Sequence, residues 1–147
     1  MRKFLSAIAL VASVSLAQAG PREDAYQVVE KWAKAFADAD AGTIAKLYAP
    51  EALMIGTFGK VVMTKPEQIY KYFDVALNTD KPRTATLNSS EALVVDDSTV
   101  VITGFDTITG VKDGQPTIGM GRVTFVVAKR GSDWLIVHLH RSPLPKT

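Results

Sequence analysis

Val29, Trp32, Ala33 and Phe36 recur at three- and four-residue intervals, with Glu30, Lys31, Lys34 and Asp38 falling on the other side. That period predicts an amphipathic helix with one buried face. It opens at Pro21-Arg22-Glu23-Asp24, whose acids lie in the first turn, where the helix dipole favours negative charge. Asp40 then predicts the cap of a short second helix with Ile44, Leu47 and Tyr48 inward, stopped before Pro50. "ALMIGTFG" (52–59) predicts a short strand running into a glycine-bounded turn. Thr64 and Glu67 fit a Thr-x-x-Glu capping box with Pro66 in the first turn. The helix it starts puts Ile69, Tyr72, Phe73 and Ala76 on one stripe.

Beyond Pro82 the period changes from helical to alternating, with β-branched runs cut by hairpin signals. Asp96-Asp97-Ser98 separates "EALVV" from "TVVITGFDTIT", Asp113-Gly114 separates that from "GRVTFVVAK", and Gly131-Ser132-Asp133 separates that from "WLIVHLHRS". Helices followed by a meander of four antiparallel strands predict an α+β fold, three N-terminal helices packed in a curved, mainly antiparallel sheet. On the last strand, alternation puts Leu135, Val137, Leu139 and Arg141 on one face. Trp134, Ile136, His138 and His140 take the other. Both faces are largely apolar, so the outer one is expected to be covered, most simply by a second copy in a homodimer or higher homo-oligomer.

The first nineteen residues change the accounting. "MRKFLSAIALVASVSLAQA" carries a basic start, an apolar run from Phe4 to Leu16 and an Ala-x-Ala ending, the pattern of a secretory signal and too short for a membrane span. The expected mature chain is one domain from Gly20 to Thr147, exported to the periplasm or beyond, with no membrane attachment after cleavage. The 17 basic residues include Arg2 and Lys3, so removing the signal leaves fifteen against the 15 acids. No cationic excess remains to hold a phosphate backbone, which excludes nucleic acid as a partner. The chain has no cysteine, so thiolate catalysis, zinc–thiolate sites and cysteine-ligated clusters are excluded, and the domain must stand on its core or an interface.

Four stretches, "WAKAFADADAGTIAKLYAPEALMIG", "TKPEQIYKYF", "GRVTFVV" and "WLIVHLHRSPLP", resemble the nuclear-transport-factor-2-like superfamily, with its SnoaL-like and ketosteroid-isomerase-like members. The terminal W-x-x-VH-x-HRS-x-x-P pattern is similar to the association domain of calcium/calmodulin-dependent protein kinase II and its small bacterial relatives. The resemblance covers about residues 24–145. It implies a conical pocket between helices and concave sheet face, and dimers formed through the outer face. It does not imply one function, because the fold hosts isomerases, dehydratases, cyclases, hydrolases and assembly modules. The kinase family's calmodulin-linked role is not expected to transfer to this chain, which is read as exported.

Among candidate sites, His138 and His140 point the same way on their strand, which is half of a metal site. No third histidine or cysteine exists, and no acid follows Asp133. The pair is therefore read as packing or hydrogen bonding on the outer face, and no metal or cofactor is expected; no Gly-rich fingerprint for a nicotinamide or flavin follows a strand. Arg141 shares the expected concave face with Val137 and Leu139, and the matching arginine lines the pocket in the kinase association domains. A guanidinium there needs an anionic ligand or a carboxylate such as Asp106, and both readings are open. Asp106, the one weak catalytic candidate, has two further alternatives. It is solvated on a bulge marked by Gly104, or it pairs across strands with Arg122. Tyr48, Tyr70 and Tyr72 are read as packing, with donor roles open.

The departures from the resembled enzymes carry equal weight. Residues 52–66 contain no Asp or Glu, and Gly56 falls where the isomerase-type base would sit. Trp32 stands in place of a helix tyrosine, and Phe125 in place of a second donor and of a further pocket arginine of the kinase domains. No nucleophile motif accompanies Ser142. The expected pocket is apolar, drawn from Trp32, Phe36, Ile55, Phe58, Phe73, Phe125 and Leu139 with Arg141 as polar anchor. It suits a small apolar ligand carrying an anionic group. A SnoaL-like or ketosteroid-isomerase-like enzyme using Asp106 with Arg141 or a tyrosine is the alternative.

Overall fold

In the computed structural model, which describes residues 20–145, helix α1 runs from Pro21 to Ala37. It is followed by α2 (Ala41–Lys46), β1 (Tyr48–Ile55), α3 (Pro66–Asn78), β2 (Thr84–Asp96), β3 (Thr99–Lys112), β4 (Gln115–Arg130) and β5 (Asp133–Pro143). The expected export segment, residues 1–19, lies outside the described residues. The strands form one sheet in the order β1-β5-β4-β3-β2, with β1 parallel to β5 and every other pairing antiparallel. This is an α+β fold with a mixed five-stranded sheet. The chain forms β1 before its third helix.

The core lies between the helices and one face of the sheet. Val28, Val29, Trp32 and Phe36 of α1, Ile69, Phe73 and Leu77 of α3, and Val100, Ile102, Val123, Phe125, Val127, Ile136 and Leu139 of the sheet are all buried there. The helical period of α1 and α3 and the two-residue period of β3 and β4 each deliver one apolar face to the same layer. Trp32 is the hub of an aromatic cluster, with ring centroids 5.3 Å from Phe36, 5.5 Å from Phe125 and 5.8 Å from Phe73. The last two contacts are edge-on, a geometry that adds about 0.5–1.5 kcal/mol per pair beyond area burial.

Four local expectations are corrected. The second helix ends at Lys46, and Tyr48 opens β1; Pro50 sits, exposed, in an irregular part of this edge strand, where a missing N–H costs no ladder bond. The cap of α3 is one residue later than the Thr64–Glu67 box: Gln68 Oε1 accepts from the Thr64 and Lys65 backbone N–H groups, and Glu67 takes no part. On β5, pairing runs Val126 with His138 but Val127 with Ile136, so Val137 is an inserted bulge residue. The bulge changes the parity, bringing Ile136 into the core with Leu139 and Arg141. Gly104 does not flip β3, whose register with β4 is unbroken from Thr99 to Lys112. The extra residue is Asn88 on β2. A Cβ at Gly104 would sit 2.0 Å from the Ser89 carbonyl oxygen, so glycine lets the bulged strand approach.

Candidate functional site

One end of the layer between sheet and helices is not filled by side chains. A cavity of about 340 Å³ opens there, walled by Trp32 and Phe36 of α1, Tyr72, Phe73 and Ala76 of α3, and Met54 of β1. Sheet residues Ile108, Val123, Leu139 and Arg141 complete it, with Phe58, Ile118 and Met120 exposed at its rim. Of the residues expected in the pocket, Trp32, Phe36, Phe58, Phe73, Leu139 and Arg141 are in this wall. Two are not. Ile55 pairs with His140 on the other side of the sheet, and its neighbour Met54 points inward instead. Phe125 is closed into the core and, with Asp106, borders a separate space of only about 20 Å³.

Arg141 is held on three sides. Its Nε donates to Asp106 Oδ2 at 2.7 Å, Nη1 to Thr57 Oγ1 at 2.7 Å and Nη2 to the Gly119 carbonyl at 3.0 Å. Both side chains of the ion pair are over nine-tenths buried. The sequence alternatives for Asp106 thus resolve to the Arg141 partner. Arg122 faces Phe105 across the strands and is exposed, so the Asp106–Arg122 pair is not formed. Three of five guanidinium N–H groups are used, leaving one each on Nη1 and Nη2.

The pair spans three strands. Asp106 of β3 lies opposite Gly121 of β4, and Arg141 comes from β5, so the two side chains meet over Gly121. A Cβ at Gly121 would lie 2.6 Å from Arg141 Nη2 and 2.7 Å from Asp106 Oδ1. Glycine is required here as space, not for an unusual backbone angle.

Gly56, where the resembled isomerases keep their base, is closed off in a similar way. A Cβ there would meet the Tyr72 ring and hydroxyl at 2.2 Å, so the room a carboxylate would need is taken by tyrosine. Burial raises the Tyr72 hydroxyl above its ordinary range, opposed by the backbone at Phe58 and Thr57 and by the charges of Arg141 and Arg83. Deeper, burial pushes the Tyr48 hydroxyl far above the tyrosine range, against a smaller opposing pull from the Trp32 indole N–H. Neither Tyr48 Oη nor Trp32 Nε1 makes a hydrogen bond of normal geometry.

Arg83, which the sequence reading did not single out, also lines the cavity. Its Nη1 donates to the Ala76 carbonyl in the last turn of α3 at 2.7 Å, and its guanidinium carbon lies 5.9 Å from the centre of the Phe36 ring. Among the described residues Asp80 is the one carboxylate in the cavity wall. His138 and His140 lie on the outer sheet face beside Leu53 and Ile55. Among the described residues no three His, Cys, Asp or Glu side chains are grouped to hold a metal, and no helix is long and apolar enough to cross a membrane.

A sheet wrapped on helices around a one-ended cavity is the architecture of the nuclear-transport-factor-2-like fold. The chain belongs to the SnoaL-like domain family, whose model matches residues 26–146. It is similar to a solved structure from Xanthomonas campestris described as a candidate calcium/calmodulin-dependent protein kinase II association domain. The TM-score is 0.80 at 27% identity, over 96% of this chain and 100% of that one. A nuclear transport factor 2-like superfamily protein from Salmonella enterica matches with a TM-score of 0.73 and 25% identity, over 82% of this chain and 89% of that one. A Novosphingobium aromaticivorans protein described as a candidate scytalone dehydratase has a TM-score of 0.75 at 9% identity over 84% of each chain, a likeness of fold alone. No curated protein matches the chain.

Proposed function

We propose that this chain is an exported small-molecule-binding domain that assembles with copies of itself through the outer face of its sheet. The observation that carries the reading is the cavity. At about 340 Å³ it falls within the size range of small-ligand sites, and its wall is aromatic and aliphatic with a few fixed polar groups. An apolar molecule bearing an anionic group suits it. Self-association is supported by Leu53, Leu93 and Phe105, large apolar side chains exposed on the face opposite the core. The word "association" in the name of the Xanthomonas protein points the same way. Export rests on the composition of residues 1–19.

An enzyme of the SnoaL-like or ketosteroid-isomerase-like kind is the second reading, favoured by the Tyr72 hydroxyl standing in the same wall as Arg141. It has little to work with as a base. Asp106 lies behind the Arg141 guanidinium and borders the small space rather than the cavity, which leaves Asp80. The test is a proton–nitrogen NMR titration of the mature domain with 4-phenylbutan-1-ol, an apolar probe of suitable size. The Trp32 indole N–H signal is expected to move while that of Trp134, which is not in the cavity wall, stays. Movement of surface signals alone would contradict the reading.

A further inference from the structure

We propose that Arg83, rather than Arg141, receives the anionic group of the cavity's ligand, and that this group is a carboxylate on an apolar, ring-containing body. The inference rests on the small-molecule-binding reading above and names the chemistry of that site. Among the described residues two guanidinium groups stand in the cavity wall, and they are not equivalent. Arg141 is neutralised at 2.7 Å by a carboxylate buried with it, and two further acceptors fix its orientation. An incoming anion would meet a pair whose net charge is already zero.

Arg83 has no such partner. Among the described residues no carboxylate lies within 4.0 Å of it, and its one hydrogen bond goes to the Ala76 carbonyl. Its Nε is buried and unpaired. The group is therefore a part-buried cation short of acceptors, oriented by the end of α3 and lying against the Phe36 ring. Coulomb attraction in such a place exceeds that at an open surface, because the apolar wall excludes part of the water.

The same geometry selects the anion. One unneutralised positive charge, with the Asp80 carboxylate elsewhere in the wall, matches a single negative charge better than a phosphate dianion. Around it, Phe36, Trp32 and Phe73 supply ring faces and edges for an apolar body. That both guanidinium charges are felt at the Tyr72 hydroxyl places Arg83 within electrostatic reach of the cavity's interior.

The experiment is calorimetric titration of the mature protein with 4-phenylbutanoate and with its neutral counterpart 4-phenylbutan-1-ol. The wild type is expected to bind the acid roughly ten-fold or more tightly than the alcohol, the margin of a charge-assisted hydrogen bond. Arg83→Met should erase that preference while leaving the alcohol's affinity within about two-fold. Arg83→Lys should keep part of it. The paired change Asp106→Asn with Arg141→Met, which removes no net charge, should leave the preference in place. Near-ultraviolet circular dichroism checks that each variant is folded. Equal binding of acid and alcohol by the wild type, or a preference that survives Arg83→Met, would overturn the assignment while the cavity stood as a binding site. A wild type that binds neither probe would overturn the small-molecule reading itself, and this inference with it.

Discussion

Replacing Gly121 by alanine tests whether the Asp106–Arg141 pair is built as described. Gly121 does not have a left-handed backbone, so alanine alone would stabilise the folded chain by about 0.4–1 kcal/mol through the unfolded state. The space decides against it. The new Cβ would stand 2.6 Å from Arg141 Nη2, 2.7 Å from its Cζ and 2.7 Å from Asp106 Oδ1, all closer than any tolerated contact. Forcing the packed pair apart costs about 3–5 kcal/mol, the cost of breaking a buried ion pair, and the overpacking cost of about 1–3 kcal/mol is part of that figure rather than an addition to it. Net destabilisation of about 2–4 kcal/mol follows, read as a fall in the urea midpoint of about 1–2 M at fixed protein concentration. Gly119→Ala is the control on the same strand, since a Cβ there has its nearest neighbour, the Ile108 carbonyl oxygen, at 3.8 Å. It should be neutral or slightly stabilising. In the Asp106→Asn, Arg141→Met background the cost of Gly121→Ala should shrink by more than half, a coupling that ties it to the pair. Equal midpoints for Gly121→Ala and wild type, or equal losses for both glycine variants, would refute the reasoning.

Further expectations concern the same region and the outer face. Arg141→Met alone leaves Asp106 as an uncompensated buried charge and should cost about 3–5 kcal/mol, whereas removing both charges together should cost less than either single change; urea midpoints decide. Burial holds the Tyr48 and Tyr72 protons above their unfolded value near 10, so stability is flat below that pH and falls as pH rises past it, where only the unfolded chain ionises. Urea midpoints from pH 8 to 11 should show this fall, flattened in Tyr48→Phe with Tyr72→Phe; a fall unchanged in that variant would contradict the assignment. Phe105→Asp on the exposed sheet face should convert an assembled protein to monomer by light scattering, and an unchanged mass would contradict assembly through that face.

What the sequence made legible was whatever a single element decides by itself. The stripes of α1 and α3 and the alternation of β3 and β4 are local periods, and they carry the core and the α+β architecture. Faces failed where one inserted residue, Val137, shifted the period, because nothing in "WLIVHLH" distinguishes a bulge from a continuous strand. Ile55 reads as inward for a related reason: a short strand at a sheet edge has too few residues to fix its parity, and Met54 is the one inside. The Thr-x-x-Glu pattern points to Thr64 and Glu67, whereas Gln68, one position on, is the residue that accepts from the Thr64 and Lys65 backbone N–H groups. The Asp106–Arg141 pair needs three strands in register and a gap at Gly121, and the Gly-rich "GMGR" entry to β4 does not fix which way its residues face. Arg83 carries no periodic signal because it lies in the loop between α3 and β2. Its chemistry comes from what is missing around it.

The central claim, that this domain holds a small molecule in its cavity, is tested most directly by native mass spectrometry of the mature protein purified from its own host. A cavity-filling variant, Ala76→Trp, would be prepared alongside. The account predicts a species beginning at Gly20, assembled as a dimer or larger, carrying a small anion that is released on activation and is absent from the filled variant. Wild-type protein that is empty in every preparation, or bound mass that persists with the cavity filled, would contradict it.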